Sequence, residues 1–212
     1  QLSSSIKTIN SDEVSSVYIG SEEFLVPILP GFSKVDIQNK RTGRLFGKHL
    51  FPNPGEEELA VFELINNQNK FIRIVSVKEF ARQNIRDSDF IQLKNILVDA
   101  QKMLENFASS SNMNKLLAQL GKQSDFKVKD LRLDRGRFID TPNILGVSSS
   151  HKTSISGEPF VKVEIASAIV LLRGKLLSIQ VVNISGDSDS EWAKNKARRM
   201  ATQTIGLNNG NI

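Results

Sequence analysis

The sequence predicts an α+β fold: an antiparallel β-sheet with helices packed on it, ending in a β-hairpin and a closing helix. Three observations predict it. The first is residues 159–184, where FVKVEIASAIVLL and LLSIQVVNI flank a basic turn at Arg173-Gly174-Lys175. Two β-rich runs around a glycine turn read as a hairpin. The second is a stripe of Phe90, Leu93, Leu97, Ala100, Leu104 and Phe107 at spacings of three and four, the pattern of one helix face. The third is a closing stripe, Trp192, Ala193, Ala197, Met200, Ala201, Thr204 and Ile205, with Lys194, Lys196, Arg198 and Arg199 opposite it. Strands, then helices, then strands, then a helix is the order of an α+β domain.

The elements follow in chain order. Residues 1–21 are polar and read as a flexible arm, with a short strand signal at Val17-Tyr18-Ile19. Residues 24–32 are apolar and end in Pro30-Gly31; Pro27 assigns them to an edge strand or an extended lead-in. Alternation resumes at Val35-Asp36-Ile37, Lys40 to Arg44 is a basic turn, and residues 45–51 read as a strand carrying His49. Residues 58–65 and 70–75 form a hairpin around Asn66 to Asn69. Ser76 and Glu79 have capping-box spacing, which predicts a short helix through Ile85. Asp87-Ser88-Asp89 caps the long helix, whose stripe Ile91, Ile96, Val98 and Met103 widen, so it reads as packed.

Met113, Leu116, Leu117 and Leu120 predict a short helix stopped by Gly121. Residues 126–133 alternate as a strand, with a return at Arg137-Phe138-Ile139. Residues 144–147 are a weak strand, and 148–158 read as a polar linker. In the main hairpin, Val161, Val163 and Ile165 alternate with Lys162, Glu164 and Ala166, so the strand starts half-buried, and Ala166 and Ala168 admit a close helix. Its turn is two or three residues long. Ser188 and Glu191 repeat the capping-box spacing before the closing helix, 189–205, which Gly206 ends. The reading is one α+β domain at 22–206, with 207–212 a frayed tail.

Composition excludes several functions. The chain has no cysteine, which removes disulfide scaffolds, thiol catalysis and zinc ribbons. A net charge of +5 permits an anionic partner without demanding one. Arg173 and Lys175 interrupt the longest apolar stretch, so no transmembrane segment is expected. A chain beginning at Gln1, with Leu2-Ser3-Ser4-Ser5 following, reads as the mature end of an exported bacterial protein, periplasmic or secreted.

Chemistry is sparse. No glycine-rich phosphate loop, G-x-S-x-G elbow or H-E-x-x-H motif is present. His49 and His151 are the only histidines. Either could pair with a carboxylate in a hydrolase or lyase; a structural imidazole is the plainer reading. Ser150 beside His151 does not imply hydrogen-bond geometry. Asp187 and Asp189 start like a calcium loop but lack its glycine and its terminal glutamate. No cofactor is implied.

The candidate binding residues are basic: Lys40, Arg41 and Arg44; the hairpin tip Arg173 and Lys175; and Lys194, Arg198 and Arg199. Lys127, Lys129, Arg132, Arg135 and Arg137 form a further group. If they converge, they suit an anionic polymer or lipid head group; otherwise they are solvated faces. One Trp and one Tyr give poor stacking for single strands, which argues against nucleic acid.

The lead-in Leu29-Pro30-Gly31-Phe32, the long central helix, the hairpin across Arg173-Gly174-Lys175 and the closing helix with Trp192 together resemble the PsbP-like family. That family includes a photosystem extrinsic protein, the Ran-binding Mog proteins and many exported bacterial proteins. The resemblance spans residues 24–205 and implies a non-catalytic binding or assembly role. No family site residue maps onto these positions, and Ran binding does not follow for an exported bacterial protein. The expected function is therefore a non-enzymatic exported domain that binds a protein or cell-envelope component. The alternatives are the His–carboxylate enzyme and an anionic lipid or polymer binder.

Overall fold

The computed structural model describes residues 14–36, 55–108, 126–134, 136–155, 157–184 and 190–209. Strands β1 (Val14–Ile19) and β2 (Glu22–Pro27) form a separate antiparallel hairpin. The large sheet contains β3 (Phe32–Val35), β4 (Glu56–Leu64), β5 (Asn67–Val77), β6 (Phe126–Leu133), β7 (Ile139–Thr141), β8 (Ile144–Ile155), β9 (Val161–Leu172) and β10 (Lys175–Ile184). Its order is β3-β4-β5-β10-β9-β8-β6, with β7 also paired to β8. Every pairing is antiparallel. The helices are α1 (Lys78–Ala81), α2 (Asp87–Ala108) and α3 (Ser190–Asn209). This is the α+β architecture the sequence predicts, with the β9–β10 hairpin followed by the closing helix.

Helix α3 covers one face of the sheet, because both surfaces are lined with small residues. Ala193, Ala197 and Ala201 on the helix meet Ala166 and Ala168 on β9, and Met200 fills the space beside them. Ile72, Ile74, Ile179 and Val181 extend that core, and Val17, Ile19, Phe24 and Val26 of the β1–β2 hairpin close its end. Helix α2 takes the other face, setting Phe90, Leu93 and Leu97 against Leu145, Leu171 and Leu176. Phe90 and Leu145, both fully buried, contribute about 1.5–3 kcal/mol each, while Leu93 and Leu97 are partly buried and contribute less. The β9–β10 turn has two residues, since Leu172 pairs with Lys175. Arg173 and Gly174 both have positive φ, +46° and +77°, as a type I′ turn requires.

Five expectations need correction. Ser76 does not cap a helix: β5 continues through Val77 opposite Glu56, and the Ser76 hydroxyl is buried without a partner. The apolar run FIRIV carries the strand past the local capping signal, and the helix that follows has only four residues. Residues 148–155 are not a linker; they are the longer part of β8, paired on both sides. Their polar side chains are accommodated separately: Ser148, Ser149 and Ser150 line a polar hollow, Lys152 is exposed, and the buried Thr153 hydroxyl donates to the Lys127 carbonyl at 3.2 Å.

On α2, Ile91, Ile96 and Met103 are exposed, so the packed stripe is narrower than expected. Gly206 does not stop α3, because Asn208 is held by a distant strand. Val14–Ile19, placed in the arm, is a strand with Val17 and Ile19 buried. Among the described residues no helix is long and apolar enough to cross a membrane.

Candidate binding site

A polar line crosses the α3 face of the sheet. Lys70 on β5 stands opposite Asn183 on β10, and Asn183 opposite Glu164 on β9. Glu164 then stands opposite Ser150 on β8, which faces Arg132 on β6. Directly paired residues in adjacent strands point to the same face, so five strands deliver one row. One step outward, Lys162 pairs with Lys152 and Lys152 with Lys129. One step inward, Ala166 pairs with Ser148, beneath the start of α3.

Where these rows meet the helix there is a hollow of about 180 Å³. Arg132, Asp134, Ser148, Ser150, Lys162 and Glu164 line it, and Lys194 closes it from α3. Lys194 donates to Asp134 at 3.2 Å and to Glu191 at 3.2 Å. Burial alone would lower the Lys194 ammonium, but these bonds outweigh it and hold the group above the ordinary lysine range. The Ser148 hydroxyl donates to Asp134 at 2.6 Å. The wall is therefore braced before anything binds.

The floor differs. Glu164 is 4% exposed, and its Oε1 accepts from Lys162 at 2.5 Å. Its Oε2 is buried with no hydrogen-bond partner. Lys152 is paired with Asp130 at 3.0 Å, and Lys129 lies 3.8 Å over the Phe160 ring. The Lys152 hydrogen bond, with the charges of Lys152, Lys129 and the exposed Arg132, holds the Asp130 carboxyl below its usual range.

No protein-family model and no curated protein matches the chain. It does resemble solved structures. The cyanobacterial PsbP protein CyanoP from Synechocystis sp. PCC 6803 matches with a TM-score of 0.35 and 10% identity, over 94% of this chain and 88% of that one. A point variant of the protein Mog1 matches with a TM-score of 0.34 and 13% identity, over 93% of each chain. The resemblance to PsbP-like and Mog-like folds is thus one of fold, at low TM-score and low identity.

The basic residues singled out in the sequence fall in several places. Lys40, Arg41 and Arg44 lie outside the described residues. Arg173 stacks on Phe24, 4.4 Å from the ring centroid, and donates to the Glu23 carbonyl. Lys175 is buried and donates to the Gln83 carbonyl at 2.8 Å. Both sit at the hairpin tip, eight residues along β9 from Glu164 and so about 26 Å away. Arg198 donates to Asn195 at 2.7 Å and to the Phe138 carbonyl at 2.8 Å, and Arg199 is exposed on the outer side of α3. Of this set only Lys194 reaches the hollow.

From the further group, Lys129 and Arg132 join Lys152 and Lys162 on the α3 face. Arg135 is outside the described residues, and Arg137 pairs with Asp140. His151 projects to the opposite face from Ser150. It is buried, burial lowers its pKa, and it reaches no carboxylate among the described residues. His49, Asp187 and Asp189 lie outside the described residues. No group of three metal-ligating side chains occurs among the described residues.

Glu164, Ser150 and Lys162 were missed as site residues. The available signal was a glutamate inside an otherwise apolar strand, VKVEIASAIVLL, which is an expensive place for a charge.

Proposed function

We propose that this chain is a non-enzymatic exported domain that binds a protein or cell-envelope component through the basic α3 face of β6, β8 and β9. The observation that supports this reading is register. Lys129, Arg132, Lys152 and Lys162 come from three strands and share one face beside Lys194. Such a face attracts an anionic partner and orients it by charge before close contact. Anionic polymer or lipid binding is the second reading, supported by the same four residues. An extracytoplasmic place belongs to the proposal, and fractionation of cells producing the natural chain tests it.

Immobilised heparin tests the face. The protein should be retained at low salt and released as salt rises. Lys129→Glu with Arg132→Glu should abolish retention. Arg82→Glu with Lys102→Glu, the same charge change at exposed helix and loop positions, should leave most of it. Equal loss in both double variants would reduce the effect to net charge and overturn the proposal.

A further inference from the structure

The hollow contains two groups with complementary needs. Glu164 Oε2 is buried and lacks a donor. Arg132, two strands away across Ser150, is exposed and makes no close ion pair among the described residues; the carboxylate that feels its charge, Asp130, hydrogen-bonds Lys152 instead, so the guanidinium is open to a second carboxylate. Every other charged group lining the hollow is engaged: Lys162 by Glu164, and Lys194 and Asp134 by each other.

We propose that the hollow binds a small zwitterion of the α-amino acid class. Its ammonium donates to Glu164 Oε2 and its carboxylate pairs with the Arg132 guanidinium. This rests on reading the α3 face as a binding face, and it names the ligand chemistry of its deepest part.

Charge selects this class over its neighbours. A simple anion entering the hollow meets the desolvated carboxylate of Glu164 and is repelled. A simple cation meets Arg132, Lys162 and Lys194 and is repelled by all three. A molecule with both charges satisfies each group with its opposite, and Arg132 can hold a carboxylate through two parallel hydrogen bonds. Adjacent strands are about 4.8 Å apart, so the Arg132 and Glu164 backbones lie roughly 10 Å apart. Arg132, Ser150 and Glu164 all line the hollow, so a head group a few ångströms wide between the two charged side chains would lie over Ser150. The Ser150 hydroxyl lies between the two charged ends, where it can donate or accept. A volume of about 180 Å³ suits a head group with a short side chain and excludes a folded polypeptide.

The test is a titration of the full chain with each of the twenty common L-α-amino acids, read from amide resonances. At about 10 mM probe, at least one should shift the amides of Arg132, Ser150 and Glu164 saturably. Acetate and methylammonium, which carry one charge each, should bind at least about tenfold more weakly. Glu164→Gln and Arg132→Gln should each weaken binding by a similar factor. Glu164→Gln should leave heparin retention at least as strong as the parent's, since it removes an anion from the basic face, and this separates the inference from the broader proposal.

No saturable shift with any amino acid would mean that the hollow holds water alone, and would overturn the inference. Acetate binding as tightly as the amino acid, or Glu164→Gln binding like the parent, would overturn it too. Should Glu164→Gln fail to fold, Arg132→Gln decides, because that side chain is exposed.

Discussion

Asn208 holds both backbone groups of Leu25. The Leu25 amide donates to Asn208 Oδ1 at 3.0 Å, and Asn208 Nδ2 donates to the Leu25 carbonyl at 2.8 Å. One side chain in the last turn of α3 therefore pairs with the outer edge of β2 as a neighbouring strand would. It also ties a residue 183 positions away to the end of the chain's last helix.

Asn208→Ala should therefore destabilise the fold by about 1–3 kcal/mol, since it leaves two backbone groups without partners. In a domain of this size each kcal/mol lowers the thermal midpoint by about 2–4 °C. Asn209→Ala, one residue on and exposed, should change nothing. Equal midpoints for the two variants would show that the clasp adds no stability.

Gly174 is fixed twice over. Its φ is +77°, and a Cβ there would lie 1.7 Å from Asn84 Oδ1. Gly174→Ala should cost about 1–2 kcal/mol, mostly from the conformation, with a smaller steric part because the exposed Asn84 amide can swing aside. Adding Asn84→Ala should recover the steric part and leave the conformational part. Denaturant midpoints of the single and double variants separate the two; no recovery would mean that the clash is absorbed elsewhere.

Lys94 is a buried amine on α2 that donates to Asp140 at 2.8 Å and to the Thr141 carbonyl at 2.7 Å. The hydrogen bond from Lys94 lowers the Asp140 carboxyl; burial opposes this, and Arg137 adds to the lowering. A depressed folded-state pKa means stability that is present above the unfolded value, about 3.9, and is lost as pH falls through the folded one. Asp140→Ala should cost about 1–2 kcal/mol near neutrality, discounted because the carboxylate is partly exposed. The difference from the parent should close below about pH 4. Lys94→Met in the Asp140→Ala background should restore part of the loss, because the stranded ammonium is then gone. A pH-independent difference would contradict the ion pair's role.

His151 acts in a separate pH window. Burial lowers its pKa, so the folded chain favours the neutral ring. Above about 6.5 both states are neutral and the residue contributes no pH dependence. As pH falls below that value the unfolded chain takes up a proton first, and stability is lost. His151→Phe should flatten this part of the stability profile and leave the acid limb from Asp140 intact. A ring titration at or above 6.5 would refute the assignment.

Much of the fold was legible because its signals are local. The β9–β10 hairpin carries its own turn residues, and the alanines of α3 and β9 announce a close helix. The α2 stripe was read too wide, because Ile91, Ile96 and Met103 look like core until the neighbours are known. The site was barely legible. Arg132, Ser150 and Glu164 are each unremarkable within their own strands, and only cross-strand register brings them together. Residues 148–155 were misread because polarity was taken as exposure, whereas Ser148 to Ser150 line a polar hollow and Thr153 and Ser154 are buried on backbone carbonyls.

Strand β6 carries one residue more than its partner between Lys129 and Arg132, where Asp130 adopts a φ of +54°. Simple alternation along β6 would send Lys129 and Arg132 to opposite sides of the sheet. The irregularity shifts the phase by half a period, and both then lie on the α3 face of the sheet. A single-codon deletion there would do what no substitution can: rotate half the strand's charges through the sheet while leaving the composition almost untouched. In divergent copies of this sequence, an indel inside β6 would thus mark a change in the charge of this face more reliably than the loss of any one basic residue.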